Sequence, residues 1–195
     1  MNIRKSVVSA AIALSAAGGL VACSTPGTVQ MDGSRSELYD SVQGIAADSS
    51  LVAVVEVKSQ EVLKPASDKD TAYTLSTVSV ISTFSPTGLA REIPNGVNPS
   101  GMTAGSQIIV RQMGTSEMDT PARILNAGEK YLLFLTPSML EGKAGSQFYV
   151  TGGSAGVYAA PSDVTSRADD AAFTHGPFEE GDTLPDTLTA KELSE

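Results

Sequence analysis

Alternation of apolar and polar residues predicts β-strands through the middle of the chain. Stretches rich in Val, Ile, Thr and aromatic residues recur there, and such residues favour pleated, half-buried surfaces. The predicted strands are residues 51–57, 73–84, 106–113, 130–136, 146–152 and 155–160. In residues 131–135, "YLLFL", both alternating sets are apolar, which indicates a strand covered on both faces or curling into a barrel.

Glycine and proline separate these strands, and no helix-length periodic segment lies between them. The pattern has no βαβ alternation, so it predicts a mainly β fold: a small antiparallel barrel of five to six strands. A short helix is predicted at each end of the domain. The first follows a Ser36 cap, with Leu38, Val42 and Ile45 at helical spacing. The second has a capping-box spacing at Thr189 and Glu192.

Three segments have little strand or helix pattern. Residues 24–36 are rich in Ser, Thr, Pro and Gly, which predicts a flexible tether. Residues 85–105 form a long loop, either packed, disordered or in contact with a protein or envelope partner. Residues 161–195 carry nine acidic and two basic residues with three prolines, which predicts an acidic tail that is mostly loose or merely draped over the domain.

The first residues have the layout of a secretory signal, with Arg4 and Lys5 before an uncharged run that ends at Ala22. Leu20-Val21-Ala22-Cys23 resembles a bacterial lipobox. That resemblance implies cleavage between Ala22 and Cys23, a diacylglyceryl thioether on Cys23, and an extracytoplasmic protein anchored by lipid to the cell membrane. The alternative is an ordinary signal peptide cut near Ala22, which leaves an idle thiol.

The predicted organisation is therefore a signal peptide (1–22), a tether (23–36), a β-barrel domain (37–160) and an acidic tail (161–195). Removing the signal leaves 173 residues, enough for one compact domain, with a formal charge of −11 instead of −9. This charge argues against nucleic acid as a partner. Because Cys23 is the only cysteine, the domain is expected to fold without disulfides.

The strand order resembles small secreted or lipid-anchored bacterial domains that look like OB-type barrels and have no assigned activity. The resemblance covers about residues 50–160. It depends on Gly128-Glu129-Lys130-Tyr131 before an apolar strand and on the later glycines Gly152, Gly153 and Gly156. It implies an OB-like fold and an extracytoplasmic compartment, and it transfers no catalytic residue.

One motif suggests catalysis. Residues 152–156, "GGSAG", match the G-x-S-x-G pattern of serine hydrolases. An acid and a base follow in the order of that family: Asp163, Asp169 or Asp170, and then His175. The pattern normally needs a strand-to-helix turn above a parallel sheet, which this sequence does not predict. A glycine-rich hairpin or bulge is the competing interpretation.

Metal-binding patterns are weak. A site would need His175 with carboxylates, and the close acidic pairs match no known calcium loop. Those pairs are Asp68/Asp70 and Asp169/Asp170. The candidate soft ligands for copper are Met102, Met113, Met118 and Met139, which lack close spacing. The sequence therefore predicts no metal and no cofactor.

The leading hypothesis is a non-enzymatic, lipid-anchored extracytoplasmic binding module. The alternatives are an envelope serine hydrolase using Ser154 and His175, and a purely structural envelope spacer.

Overall fold

The computed structural model describes residues 37–64, 71–89, 101–118, 120, 122–166, 170–176 and 181–194. The predicted signal peptide, Cys23 and the tether lie outside these residues. The described fold is mainly β, with one mixed sheet of eight strands and little helix.

A short α-helix, α1 (Val42–Ala47), comes first, and its N-cap Ser41 accepts a hydrogen bond from the Gly44 amide. The strands are β1 (Leu51–Leu63), β2 (Tyr73–Phe84), β3 (Gln107–Met113), β4 (Lys130–Pro137), β5 (Gln147–Val150), β6 (Val157–Ala159), β7 (Ala172–His175) and β8 (Thr187–Thr189). Two 3₁₀ helices, Gly142–Ser146 and Gly153–Gly156, flank β5. The first six strands overlap the six predicted segments, although β1 continues to Leu63, beyond the predicted end at residue 57.

Five strands form a ring. The sheet order is β1-β2-β3-β5-β4-β6-β7-β8, and β1 also pairs with β4, so that β1, β2, β3, β5 and β4 close on themselves. All pairs are antiparallel except β3 with β5. The mainly β prediction is confirmed, but the sheet has eight strands and is mixed, whereas an antiparallel arrangement of five to six strands was predicted. A closed ring with an odd number of strands cannot alternate direction throughout, so one pair must be parallel.

Two hydrophobic cores share the strands β1 and β4. The inner core fills the ring and includes Val55, Val78, Leu133 and Phe148. The outer core lies on the other face of β1 and β4. All five residues of 131–135 are buried, so the prediction of a strand covered on both faces is confirmed.

The C-terminal segment covers the outer face of the ring. β7 pairs with β6, and β8 pairs with β7, so the sheet continues beyond residue 160. Its apolar side chains are buried in the outer core: Phe173, Leu184, Leu188 and Leu193. Residues 170–176 and 181–194 are therefore more than loose or draped chain, because they extend the sheet and bury their large apolar side chains.

The predicted terminal helices differ from the structure. Helix α1 begins after Ser41, because the segment before it is held elsewhere: the Tyr39 amide donates to Asp182 Oδ1 at 2.8 Å. At the other end the capping box forms, since Glu192 Oε2 accepts hydrogen bonds from the Thr189 amide and hydroxyl. Thr189 ends strand β8, however, and only a turn follows it, at residues 190–193.

Candidate functional site

The structure brings Ser154 and His175 together through the main chain. Ser154 lies in the 3₁₀ helix Gly153–Gly156, and His175 ends β7. The His175 Nε2 atom is 2.9 Å from the Ser154 carbonyl oxygen, and its Nδ1 atom is 2.6 Å from the Gly176 carbonyl oxygen. Both side chains are buried. These contacts tie β7 to the 3₁₀ helix and place carbonyl oxygens at the ring nitrogens that a hydrolase would use for proton transfer.

Close packing explains the glycines of the G-x-S-x-G pattern. Gly152 has φ +65°, and a Cβ atom there would lie 2.6 Å from the Tyr39 ring. A Cβ atom on Gly156 would lie 2.4 Å from the Thr151 carbonyl oxygen. The neighbouring strands β5 and β6 are both antiparallel to β4, so Ser154 is not at a strand-to-helix turn of a parallel sheet.

The other predicted catalytic and metal residues are dispersed. Asp163 and Asp170 are exposed, whereas Asp68, Asp70 and Asp169 lie outside the described residues. In the part of the chain that the structure describes, no three His, Cys, Asp or Glu side chains are placed to hold a metal ion. Met102 packs against the inner core, while Met113 and Met139 are about half exposed.

The predicted binding loop, residues 85–105, begins beside a cleft. Its residues 90–100 lie outside the described part of the chain. Pro86 and Thr87 line a cleft of about 410 Å³ together with the start of α1 and the C-terminal segment. Asp40 and Glu192 contribute carboxylates to this cleft, and hydrogen bonds from Thr189 hold the pKa of Glu192 below its ordinary value. The cleft is therefore acidic.

A second surface is the outer face of β2, β3 and β5, which we call the arginine face. It carries Tyr73, Leu75, Ile109 and Arg111, all half-buried, because their neighbours in sequence point into the ring. Strand register places Leu75 opposite Arg111 and Tyr73 opposite Met113.

The Arg111 guanidinium is held in place on this face. Its Cζ atom lies 3.9 Å from the centre of the Tyr73 ring, and its Nη1 donates to Gln147 Oε1 at 3.3 Å. Its buried Nε finds no hydrogen-bond partner among the described residues. Arg111 is the only charged residue in these three strands, which are described in full. A fixed guanidinium fork suits oxygen acceptors such as carboxylates.

The Gly128-Glu129-Lys130-Tyr131 motif has structural contacts. Gly128 adopts φ +84° in the turn before β4, and the Tyr131 hydroxyl donates to the Glu129 carboxylate. Hydrogen bonds from Tyr131 and Asn126 lower the pKa of Glu129, while burial, and then the bond to Glu129, raises that of Tyr131. Lys130 Nζ donates to the carbonyl oxygens of residues 162 and 164. The motif therefore starts β4 and fastens it to the outer layer.

Sequence reasoning missed Arg111 as a functional candidate. The signal was present: one charged residue at an outward position of an alternating strand, in a strongly acidic chain. Its neighbours Tyr73 and Gln147 are 38 and 36 positions away along the chain. Only the pairing of the strands brings these three side chains together.

Comparisons with known proteins leave the site to be interpreted from its own residues. The chain matches no protein-family model and none of the curated proteins. Among the described residues, no helix has the length and apolar character needed to cross a membrane.

Proposed function

We propose that this chain is a lipid-anchored extracytoplasmic protein whose folded domain is a non-enzymatic binding module. In this proposal residues 1–22 are a lipoprotein signal peptide cut between Ala22 and Cys23, and acyl chains on Cys23 hold the protein at the membrane. The support is the signal layout and the lipobox resemblance. The Ser, Thr, Pro and Gly content of residues 24–36 supports a tether between Cys23 and the folded domain.

The five-strand ring is proposed to be an OB-like barrel. The support is its strand order, 1-2-3-5-4-1, with a parallel pair between β3 and β5. Strand β1 is long and has register shifts at Val54/Val55 and Val57/Ser59, where it bends to pair with both β2 and β4. OB-type barrels bind ligands on the face formed by strands 2 and 3 and with the adjoining loops.

The observation that carries the binding role is the fixed guanidinium of Arg111 on the arginine face. Stacking on Tyr73 and the hydrogen bond to Gln147 already restrict the rotamers of Arg111. Binding a partner therefore costs less side-chain entropy than it would for a free arginine. Leu75 and Ile109 flank it with half-buried apolar surface. The partner is accordingly a protein segment or envelope component that offers a carboxylate or similar oxygen acceptors beside an apolar group. Loop 85–105 is proposed as an additional contact.

Site-specific photo-crosslinking in intact cells tests the binding role. A photoreactive residue at Thr77, which lies on the arginine face opposite Ile109, should form a discrete crosslinked species. Arg111→Ala should abolish that species, whereas Lys58→Ala, which removes an exposed charge on β1, should leave it unchanged. No crosslink at Thr77, or a crosslink that survives Arg111→Ala, would refute a binding role for this face. A structural spacer predicts the first of these results.

Intact mass spectrometry tests the anchor. Protein extracted from membranes with detergent should have the mass of a chain that starts at Cys23 and carries acyl groups. The Cys23→Ala variant should lack this species. An unacylated mature mass for the native protein would show an ordinary signal peptide instead.

Fluorophosphonate labelling tests the hydrolase alternative. We expect no labelling of the native protein, because the Ser154 side chain is buried and the His175 Nε2 atom faces a carbonyl oxygen. Labelling that Ser154→Ala abolishes would establish the hydrolase and contradict the non-enzymatic proposal.

A further inference from the structure

The loop between β4 and β5, residues 138–146, is closed by its own hydrogen bonds. The Ser138 hydroxyl donates to the Ala144 carbonyl oxygen at 2.6 Å, and the Leu140 amide donates to the Ser138 hydroxyl at 3.3 Å. The Ser138 amide donates to the Gln147 carbonyl oxygen at 2.9 Å. Gly145 packs so closely that a Cβ atom would lie 2.6 Å from the Leu140 carbonyl oxygen. The loop therefore holds its tip in a defined shape.

That tip presents two large apolar side chains to solvent. Met139 is 58% exposed and Leu140 is 41% exposed. Met139 also has φ +54°, in the left-handed region that favours glycine, and it is the only described non-glycine residue with positive φ. A residue other than glycine is strained in this region, because its Cβ atom crowds the following carbonyl oxygen. The loop thus keeps an exposed apolar side chain at a position where glycine is less strained, which points to a role for the side chain outside the fold.

The loop lies at the end of the ring from which the chain leads back to Cys23. The Tyr39 hydroxyl donates to Asp48 at 2.8 Å, and the Ser50 amide donates to the Leu135 carbonyl oxygen at 2.8 Å. Strand β4 ends two residues after Leu135, where the loop begins. The fourteen residues from Cys23 to 36 span at most about 50 Å when fully extended. An anchor at Cys23 therefore leaves this end of the domain within reach of the membrane surface.

We propose that Met139 and Leu140 insert into the interfacial layer of the bilayer that holds the anchor; this inference rests on the proposed lipid anchor. Moving apolar side-chain surface out of water is favourable, roughly in proportion to the area removed. Such insertion would be weak in free solution, but the tether supplies a high effective concentration of membrane. The loop carries one exposed acidic and one exposed basic residue, Glu141 and Lys143, and so has no net charge. This balance suits a zwitterionic headgroup layer.

Tryptophan reporters test the insertion directly, because the native chain contains no tryptophan. The chain from Cys23 onward, which has no other cysteine, is coupled through that thiol to a maleimide-headgroup lipid in phosphatidylcholine vesicles. Met139→Trp and, in a separate variant, Leu140→Trp should show blue-shifted emission on vesicles and quenching by brominated acyl chains. Val62→Trp is the matched control, since Val62 is 47% exposed near the opposite end of β1. It should show neither effect.

Two results would overturn the inference. One is unshifted, unquenched emission from both loop reporters in protein whose circular dichroism matches the native chain. The other is equal quenching at Val62, which would show general adsorption. Adding Met139→Gly to the Leu140→Trp variant should reduce its quenching while raising thermal stability. Because the coupling imposes the anchor, this experiment succeeds or fails independently of whether cells acylate Cys23, which the mass spectrum decides.

Discussion

The inner and outer cores of this protein bury similar kinds of side chain but draw them from very different stretches of chain. The inner core comes mainly from strands in which buried residues alternate with less buried ones, such as Val78 and Val80 in β2. The outer core adds to the other face of β1 and β4 a few widely spaced residues from a strongly acidic segment: Phe173, Leu184, Leu188 and Leu193. An acidic, proline-containing segment can therefore complete a fold when nearly all of its few large apolar side chains are buried together.

Deleting residues 161–195 should cause the largest loss of folding stability. It removes four fully buried large side chains, each contributing about 1.5–3 kcal/mol, and uncovers Phe134 and Tyr158. The summed loss is comparable to the 5–15 kcal/mol that typically stabilises a domain. We expect loss of the cooperative thermal transition in circular dichroism. A truncated chain that melts like the full chain would show that the inner core is stable alone.

A matched pair of phenylalanine substitutions compares the two cores directly. Phe148→Ala in the inner core and Phe173→Ala in the outer core should each lower the free energy of unfolding by about 3–5 kcal/mol, because both side chains are fully buried. Urea denaturation should give one transition for each variant. If Phe173→Ala instead produces two transitions, or loses hydrogen-exchange protection only in β7 and β8, the cores unfold separately.

Lys130→Met tests the connection between ring and outer layer. The Lys130 ammonium group donates to the carbonyl oxygens of Ser162 and Val164, at 2.6 and 3.1 Å. Losing these charge-assisted bonds at a partly exposed site should cost about 1–2 kcal/mol and increase amide exchange near residue 164. Lys58→Met is the control, because Lys58 pairs only with the surface residue Glu56 among the described residues; it should cost at most about 0.5 kcal/mol. Equal effects would refute the connection.

The smallest expected effect is on the pH dependence of folding stability. It compares a carboxylate beside the ring with one in the outer layer. Hydrogen bonds lower the pKa of Glu129 before β4 and of Glu192 after β8. A lowered folded pKa gives stability that is complete above the ordinary glutamate range, near pH 4.5, and lost as the pH falls through the folded value.

The pH dependence is measured as melting temperature from pH 6 to pH 3. At pH 6 the native chain should have a higher melting temperature than Glu129→Gln and than Glu192→Gln. Both differences in melting temperature should shrink at pH 3. A difference that stays constant with pH would show that the carboxylate charge is not responsible.

The sequence predicted the first six strands because their apolar residues alternate or run continuously, as in Tyr131–Leu135. It did not predict β7 and β8, which have only four and three residues and are defined by pairing with β6 and with each other. The parallel pairing of β3 with β5 has no local signature either. It follows from closure of an odd-numbered ring, which is a property of the whole topology.

The residues of the candidate site could likewise be found in the sequence, whereas their contacts depend on the whole fold. The sequence offered Ser154 and His175 as a catalytic pair only in the alternative hypothesis. In the structure His175 contacts main-chain carbonyl oxygens, which a short motif cannot reveal. Arg111 acquires its stacking and hydrogen-bond partners only when β2, β3 and β5 assemble. The lipid-anchor prediction at Cys23 concerns residues outside the described domain and stays a prediction.

The hydrogen bond from Tyr39 to Asp182 joins positions 143 residues apart. It has a consequence for when this chain folds. The segment around Tyr39 is fastened by one that is synthesised 143 residues later, and the outer core closes between them. A chain that emerges from its N-terminus therefore cannot complete this fold until residue 182 is available. For a chain exported as proposed above, the delay would keep the polypeptide unfolded while it crosses the membrane.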